Sequence, residues 1–528
     1  MKLLRKLLIL THRYLGIIFS ALVVMWFATG ITMMYLGGMP RITPELRLER
    51  MTPIDLTAVK LSPSEAAMRG QLGAPPQRAS LLSIAGRPAY RFGGGRDATI
   101  VFADTGDVAD EFTDAQTRQI AASFMRVPLD RVEFIGTIEG ADQWTLGIGR
   151  VFPLHKFNVH DAEGSEVYVS PATGEPIMLT TTKTRLFAWI STIPHWLYFE
   201  GLRSNQLLWN RVVVWTSAIV TALAVLGVVL GVTQYRRGRA TFSAAIPYAG
   251  WMRWHYITGL IFGVCAVTWA FSGLLSMEPF AWTNARGIEP ADDALTGGDL
   301  DLAAYKPMEP AAWNRLLDGG SLKQVDFVRM QGEHYYVVRR TTRDGQDLGK
   351  RERLHQPYPV RGRVAADRLI VSAATLEPRT TPFTADQIVQ RVRAAVPDTP
   401  IVDYSWLTEY DSYYYSRTKQ TPLPVVRIRF ADPAATWLYV DPTMNEMLAS
   451  IPRLGRLERW LYNGLHSLDV GYLSTRPLWD IVMLLLLVGG LSTSVIGMYV
   501  GVKRAIRALV RMMPKTNDAN RDLVGADR

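Results

Sequence analysis

Trp254-His255-Tyr256-Ile257-Thr258-Gly259-Leu260-Ile261-Phe262 opens a long apolar run, and its reading decides the fold. The pattern returns near the N-terminus as His12-Arg13-Tyr14-Leu15-Gly16-Ile17-Ile18-Phe19. Counted from the histidine, Gly follows at +4 (Gly16, Gly259), Phe at +7 (Phe19, Phe262), Trp at +14 (Trp26, Trp269) and Gly at +18 (Gly30, Gly273). At about 100° per residue, every one of these offsets returns to within about 40° of the histidine. Each copy therefore predicts a helix with one stripe of His, Gly, Phe, Trp and Gly. A glycine one turn beyond a histidine leaves a flat notch beside the imidazole, which suits a planar group held by a ring nitrogen.

The rest of the composition shows where these helices lie. The chain has 528 residues, 48% of them hydrophobic and 20% charged, with a net charge of +10. The apolar residues are segregated into four uncharged runs, Leu15 to Leu36, Val212 to Val232, Ile257 to Met277 and Ile481 to Val502. Each is about 20 residues, the length that spans a hydrocarbon core of roughly 30 Å. The cations flank these runs: Lys2, Arg5, Lys6 and Arg13 before or at the first, Arg236, Arg237, Arg239 and Arg253 between the second and third, Lys503, Arg504, Arg507 and Arg511 after the fourth. The positive-inside rule places these regions and both termini on the cytoplasmic side. The long segments 40–208 and 278–476 then lie outside. This topology accounts for the basic balance, so nucleic acid is not an expected partner. A basic start with an apolar run also fits a signal peptide. The stripe shared with an internal run favours an uncleaved anchor. The single cysteine, Cys265, lies within the third run, which excludes a disulfide framework or a cysteine-held cluster.

The duplication extends beyond the helices. Phe112-Thr113-Asp114-Ala115-Gln116 resembles Phe383-Thr384-Ala385-Asp386-Gln387, an offset of 383 − 112 = 271. The same offset carries Pro153 to Pro424, Lys156 to Arg427, Tyr168-Val169 to Tyr439-Val440, Pro171 to Pro442, Trp189 to Trp460 and His195 to His466. One residue of slippage later, Leu208-Trp209 matches Leu478-Trp479. Each of these tryptophans is followed at +18 and +22 by glycine, Gly227 and Gly231 or Gly497 and Gly501, a spacing that permits close helix contact. The chain reads as two copies of one unit: a span leading out, an outer segment, a histidine, and a span leading back. Copies in the same orientation imply a pseudo-two-fold axis along the membrane normal.

The outer segments mix helix and strand signals. Ser62-Pro63-Ser64-Glu65 and Thr384-Ala385-Asp386-Gln387 have the form of capped helix starts. Ala98 to Phe102 before Asp104-Thr105-Gly106, and Glu166 to Val169 before Pro171-Ala172-Thr173-Gly174, read as strand and turn. Gly93-Gly94-Gly95 reads as a turn rather than a nucleotide-binding loop. The run Tyr410 to Arg417 reads as a strand edge in preference to an aromatic-basic binding face. The Arg- and Lys-rich insertion 341–367 reads as a solvated loop.

Four of the eight histidines occupy repeat-matched positions at span ends: His12 and His255 on the cytoplasmic side, His195 and His466 on the outer side. Facing each other across the pseudo-axis, they form two bis-histidine sites. Two imidazoles on opposite faces of a porphyrin hold a low-spin b-type haem. The competing role is interfacial hydrogen bonding, which one such histidine would satisfy. Four paired histidines on Gly and aromatic stripes favour ligation, with His12, His255, His195 and His466 as haem-iron ligands and Gly16 and Gly259 lining the notch. A zinc site shared by all four is excluded by the bilayer between the pairs. His155, His160, His334 and His355 are not duplicated and read as structural or solvated.

The motifs His12-x3-Gly16 with Thr29-Gly30, Trp254-His255-x3-Gly259 with Ser272-Gly273, Tyr168-Val169-Ser170-Pro171-x2-Gly174-Glu175 with its copy Tyr439-Val440-Asp441-Pro442, and His466 with Trp479-Asp480 resemble the PepSY-associated transmembrane proteins. These include iron-regulated inner-membrane proteins and ferrisiderophore reductases of Gram-negative bacteria. The resemblance covers nearly the whole chain. It implies an α-helical membrane protein with four transmembrane helices in a pseudo-two-fold bundle, plus two α+β PepSY-like periplasmic domains. The corresponding boundaries are 1–38 for span one, 39–184 for the first domain, 185–235 for a histidine segment and span two, and 236–253 for a cytoplasmic loop. They continue with 254–278 for span three, 279–455 for the second domain, 456–504 for a histidine segment and span four, and 505–528 for a cytoplasmic tail. The function implied is a di-haem b electron-transfer protein of the inner membrane. Its partners would be a cytoplasmic-side or quinol electron donor and a periplasmic acceptor such as a ferric chelate. The rival from a different class is a non-enzymatic PepSY module that binds peptides or regulates a periplasmic protease. Transport ranks below both, because no run carries a mid-membrane charge or a break.

Overall fold

The computed structural model describes residues 2–149, 151–239, 241–280, 286–341, 368–415 and 421–512. The insertion 341–367 lies outside them except for Thr341, as do His355 and the tail from 513. Two compact units emerge. One comprises Met1–Ile31, Asn210–Pro279 and the chain from Leu461 on; the other comprises Thr32–Trp209 and Phe280–Trp460.

The first unit is helical. Its framework is Lys2–Leu36, Gln206–Gln234, Gly250–Leu275 and Leu478–Met512, four helices long and apolar enough to cross a membrane. The first and last run well past the apolar stretches that mark them in the sequence. At 1.5 Å per residue, the 35 residues of each reach about 52 Å, against a hydrocarbon core of roughly 30 Å. The extensions are rich in Leu, Lys, Arg and Ala, all strong helix formers, so the helix continues into the basic flanks. Large apolar side chains such as Ile18, Trp215, Ile261 and Leu485 point outward, as a lipid solvent allows.

The second unit carries the sheets. The first copy supplies β1 (Ala79–Ile84), β2 (Arg87–Phe92), β3 (Thr99–Phe102), β4 (Val132–Ile138), β5 (Leu154–Val159), β6 (Ser165–Val169) and β7 (Pro176–Thr180). The second supplies β8 (Ser321–Met330), β9 (Glu333–Thr341), β10 (Arg368–Ser372), β11 (Ile401–Leu407), β12 (Val425–Phe430), β13 (Trp437–Asp441) and β14 (Glu446–Ile451). Strands β4 to β7 and β11 to β14 form two antiparallel four-stranded sheets. Each follows a helix opened by the repeat-matched capping boxes Thr113/Gln116 and Thr384/Gln387. A third capping box, Ser62/Glu65, starts the helix Pro63–Arg69. The duplication reaches fine detail: the register shifts at Tyr168/Val169 and at Tyr439/Val440, and Pro153 and Pro424 both follow cis bonds.

The two outer segments, separate domains by sequence, are joined through a third sheet of order β10-β9-β8-β1-β2-β3. Its central pair is β1 against β8, antiparallel, with Ala79 opposite Phe327 and Leu82 opposite Gln324. Side-chain alternation divides its two faces. Leu81, Tyr90, Val325, Tyr336 and Val338 enter one core with Trp313 and Tyr305. Leu82, Ile84 and Ile100 pack on the helix and sheet of the first copy, while Tyr335, Val337 and Ile370 pack on those of the second.

The run Tyr410 to Tyr415 is a loop, not the expected strand edge, and Arg417 lies outside the described residues. The Asp411 carboxylate folds it back by accepting from the backbone N–H groups of Tyr413 and Tyr414, from Arg427 at 3.0 Å and from the Tyr439 hydroxyl at 2.9 Å. The first copy repeats the motif, with the Tyr168 hydroxyl donating to Asp142 at 2.8 Å beside Lys156.

Candidate functional site

The helical unit brings His12 and His255 together, ring centroids 6.3 Å apart and planes inclined by 31°. Both rings are held in the same way. His12 Nδ1 lies 3.1 Å from the Leu223 carbonyl, and His255 Nδ1 lies 3.1 Å from the Thr493 carbonyl. A carbonyl can only accept, so each Nδ1 carries the proton and donates it. The lone pair in each ring is left on Nε2, the atom available to ligate. A metal-bound histidine is commonly fixed by just such a donation from its other nitrogen.

Close approach of each ring to its neighbouring helix needs a glycine. A Cβ at Gly227 would lie 2.9 Å from His12 Cε1, and one at Gly497 would lie 2.8 Å from His255 Cε1. Here the sequence reading was incomplete. Gly227 and Gly231, with Gly497 and Gly501, read as helix-contact glycines. All four face side chains of neighbouring helices, the second of each pair an aliphatic one, Leu260 for Gly231 and Ile17 for Gly501. The first of each pair seats an imidazole. Both seats follow the repeat, since 493 − 223 and 497 − 227 both equal 270.

The notch glycines are open. No described atom lies within 4 Å of a Cβ placed at Gly16, and at Gly259 only Thr493 Cγ2 comes near, at 3.8 Å.

His466 sits in the short helix Leu465–Ser467, ahead of the fourth span. Its Nδ1 is 3.0 Å from the Ser272 hydroxyl, and that hydroxyl donates to the Trp269 carbonyl at 3.1 Å. The Trp269 indole N–H donates to the His466 carbonyl at 2.9 Å. Burial pushes the imidazole pKa down to about 4, against a smaller opposing effect of the Trp269 main chain, so the ring is neutral. His195 belongs to the sheet unit and ends the helix Thr192–His195. The two histidines share one local device. The Trp209 indole donates to the carbonyl after His195 (Trp196, 2.9 Å), and the Trp479 indole donates to the carbonyl after His466 (Ser467, 2.7 Å).

Three of the four unduplicated histidines lie among the described residues, and each makes local contacts. His155 bonds Thr117 Oγ1 at 2.8 Å, and His160 pairs with Glu133 at 3.0 Å. His334 stands edge-on to Tyr305. Burial lowers the pKa of both His155 and His334. Among the described residues no group of three or more His, Cys, Asp or Glu side chains is placed to hold a metal ion.

Sequence reasoning missed the main-chain acceptors at Leu223 and Thr493, the imidazole seats at Gly227 and Gly497, and Ser272 as a partner of His466. The repeat register held the signal: each acceptor precedes its seat by one helical turn.

A search of curated proteins finds no match to the chain. The sequence profile described as the PepSY-associated TM region matches residues 9–504, nearly the whole chain, which therefore belongs to that family.

Proposed function

We propose that the chain is a b-type di-haem electron conduit of a bacterial inner membrane, taking electrons at the cytoplasmic side and passing them to a periplasmic acceptor such as a ferric siderophore. One observation carries this reading: His12 and His255 lie in equivalent seats with ring centroids 6.3 Å apart, each with Nδ1–H donated and Nε2 left to ligate. His12 and His255 would hold the haem iron through Nε2. The open positions at Gly16 and Gly259 leave room for a flat macrocycle. Haem held by two imidazoles supplies one-electron transfer.

His195 and His466 are the second pair in this reading, on the strength of the repeat and of the matching Trp209 and Trp479 hydrogen bonds. The two copies are then related by a pseudo-two-fold axis along the membrane normal. Twelve cations flank the His12 and His255 ends of the spans, which supports a cytoplasmic position for that pair. The sheet unit then lies in the periplasm, where the acceptor docks. Reduction of ferric iron loosens its hold in a hard oxygen cage, which makes release the useful outcome.

The test is the visible spectrum of the purified chain with haem quantitation. The reading requires a reducible b-type spectrum, part of which is lost in His12→Ala and His255→Ala. A chain that stays colourless with haem supplied would refute it and leave peptide binding by the sheet unit as the standing alternative.

A further inference from the structure

The third span meets His466 both at its main chain and at its imidazole. The Trp269 indole N–H fixes the main chain of His466, at 2.9 Å. Ser272 touches the ring itself, its hydroxyl 3.0 Å from Nδ1. Ser272 is fully buried, and its own proton is committed to the Trp269 carbonyl at 3.1 Å. With that proton engaged, the oxygen faces Nδ1 as an acceptor. Nδ1 then carries hydrogen, and Nε2 keeps the lone pair.

We infer that Ser272 is a positioning residue that sets the tautomer and donor strength of His466. This rests on the haem reading above and deepens it. A ligating imidazole that donates its second N–H is more basic and stabilises ferric over ferrous iron. Removing the Ser272 hydroxyl weakens the hydrogen bonding of Nδ1, makes the ligand a weaker donor and raises the reduction potential of the haem it would hold. The hydroxyl matters rather than the size of the side chain: the matching position in the first copy is Thr29, which keeps the hydroxyl.

His12 and His255 are independent of this effect. Their acceptors are the Leu223 and Thr493 carbonyls, and along the third span Ser272 is 17 residues (272 − 255) from His255, about 25 Å at 1.5 Å per residue. Ser272 should therefore act on one haem only.

The experiment is a dithionite redox titration, followed by visible absorbance and haem content, on the full chain in detergent. It compares the unaltered protein with Ser272→Ala, Ser272→Thr and His466→Ala. Ser272→Ala is expected to keep its haem and to raise the midpoint of one component. The expected change is about tenfold in the reduced-to-oxidised ratio at fixed potential, or 59 mV for a one-electron couple. Ser272→Thr should retain the original midpoint, and the component that shifts should be the one missing from His466→Ala. If Ser272→Ala retains both haems with both midpoints unchanged, or shifts the component that survives in His466→Ala, the inference fails while the haem reading stands. An unaltered chain without haem removes the haem reading and this inference with it.

Discussion

Replacing Gly227 with alanine tests the imidazole seat directly. The added Cβ would lie 2.9 Å from His12 Cε1, 3.6 Å from Nδ1 and 3.8 Å from Nε2. Carbon atoms pack best at about 3.5–4.0 Å, so the ring must retreat by about 0.5–1 Å. The Nδ1 to Leu223 carbonyl distance, now 3.1 Å, would then stretch to about 3.6 Å and cease to be a hydrogen bond. Losing that bond costs about 1 kcal/mol, and an off-rotamer ring costs about another. Together they weaken haem binding roughly 30-fold. Haem per chain, read from the pyridine haemochrome after washing, should fall from two toward one. Gly497→Ala should act the same way, because its Cβ would lie 2.8 Å from His255 Cε1. Gly16→Ala supplies the contrast. Its Cβ meets no described atom within 4 Å, so the fold should be unchanged, and any loss of pigment there reports the cofactor's own space. Full haem content with an unchanged spectrum in both Gly227→Ala and Gly497→Ala would refute the reasoning.

Other consequences can be measured separately. Trp479→Phe removes the donor to the Ser467 carbonyl, a loss of about 1–3 kcal/mol if the carbonyl stays dry; haem content of the His466 component should fall, while the His12/His255 component remains. Tyr168→Phe and Tyr439→Phe each remove one donor from a half-buried carboxylate, at about 1 kcal/mol, so calorimetry should place the transition of the sheet unit about 2–4 °C lower for each. The Arg87 guanidinium holds the Asp104 carboxyl below its ordinary value, through a hydrogen bond first and charge second. That contribution is complete above about pH 4, the unfolded carboxyl value, and is lost as pH falls through the depressed folded one. Melting curves from pH 6 to 3 should therefore decline less steeply in Arg87→Ala than in the unaltered chain.

Much of this architecture is legible from residues alone, because the relevant signals are local or periodic. Apolar length marks the four spans, hydroxyl–Glu or hydroxyl–Gln spacing marks the capped helices at Ser62 and Thr384, and the repeat carries the latter to Thr113. The repeat singles out His12, His255, His195 and His466 from eight histidines. What escapes is non-local or carried by the main chain. The pairing of β1 with β8 links residues more than 240 positions apart, and neither strand encodes its partner. The Leu223 and Thr493 carbonyls have no side-chain signature. Tyr410 to Tyr415 has the aromatic content of a strand, but Asp411 captures two of its backbone N–H groups and turns it into a loop. Glycine spacing alone gives Gly227 and Gly231 the same meaning, and only the His12 ring against the first distinguishes them.

The account rests on His12 and His255 as a ligand pair, and one measurement tests that most directly: haem per chain with the reduced-minus-oxidised spectrum, for the unaltered protein beside His12→Ala/His255→Ala. The prediction is a reducible b-type spectrum with two haems per chain, falling to one in the double variant while the protein remains folded. A colourless unaltered protein, or a double variant with the full spectrum, would contradict it.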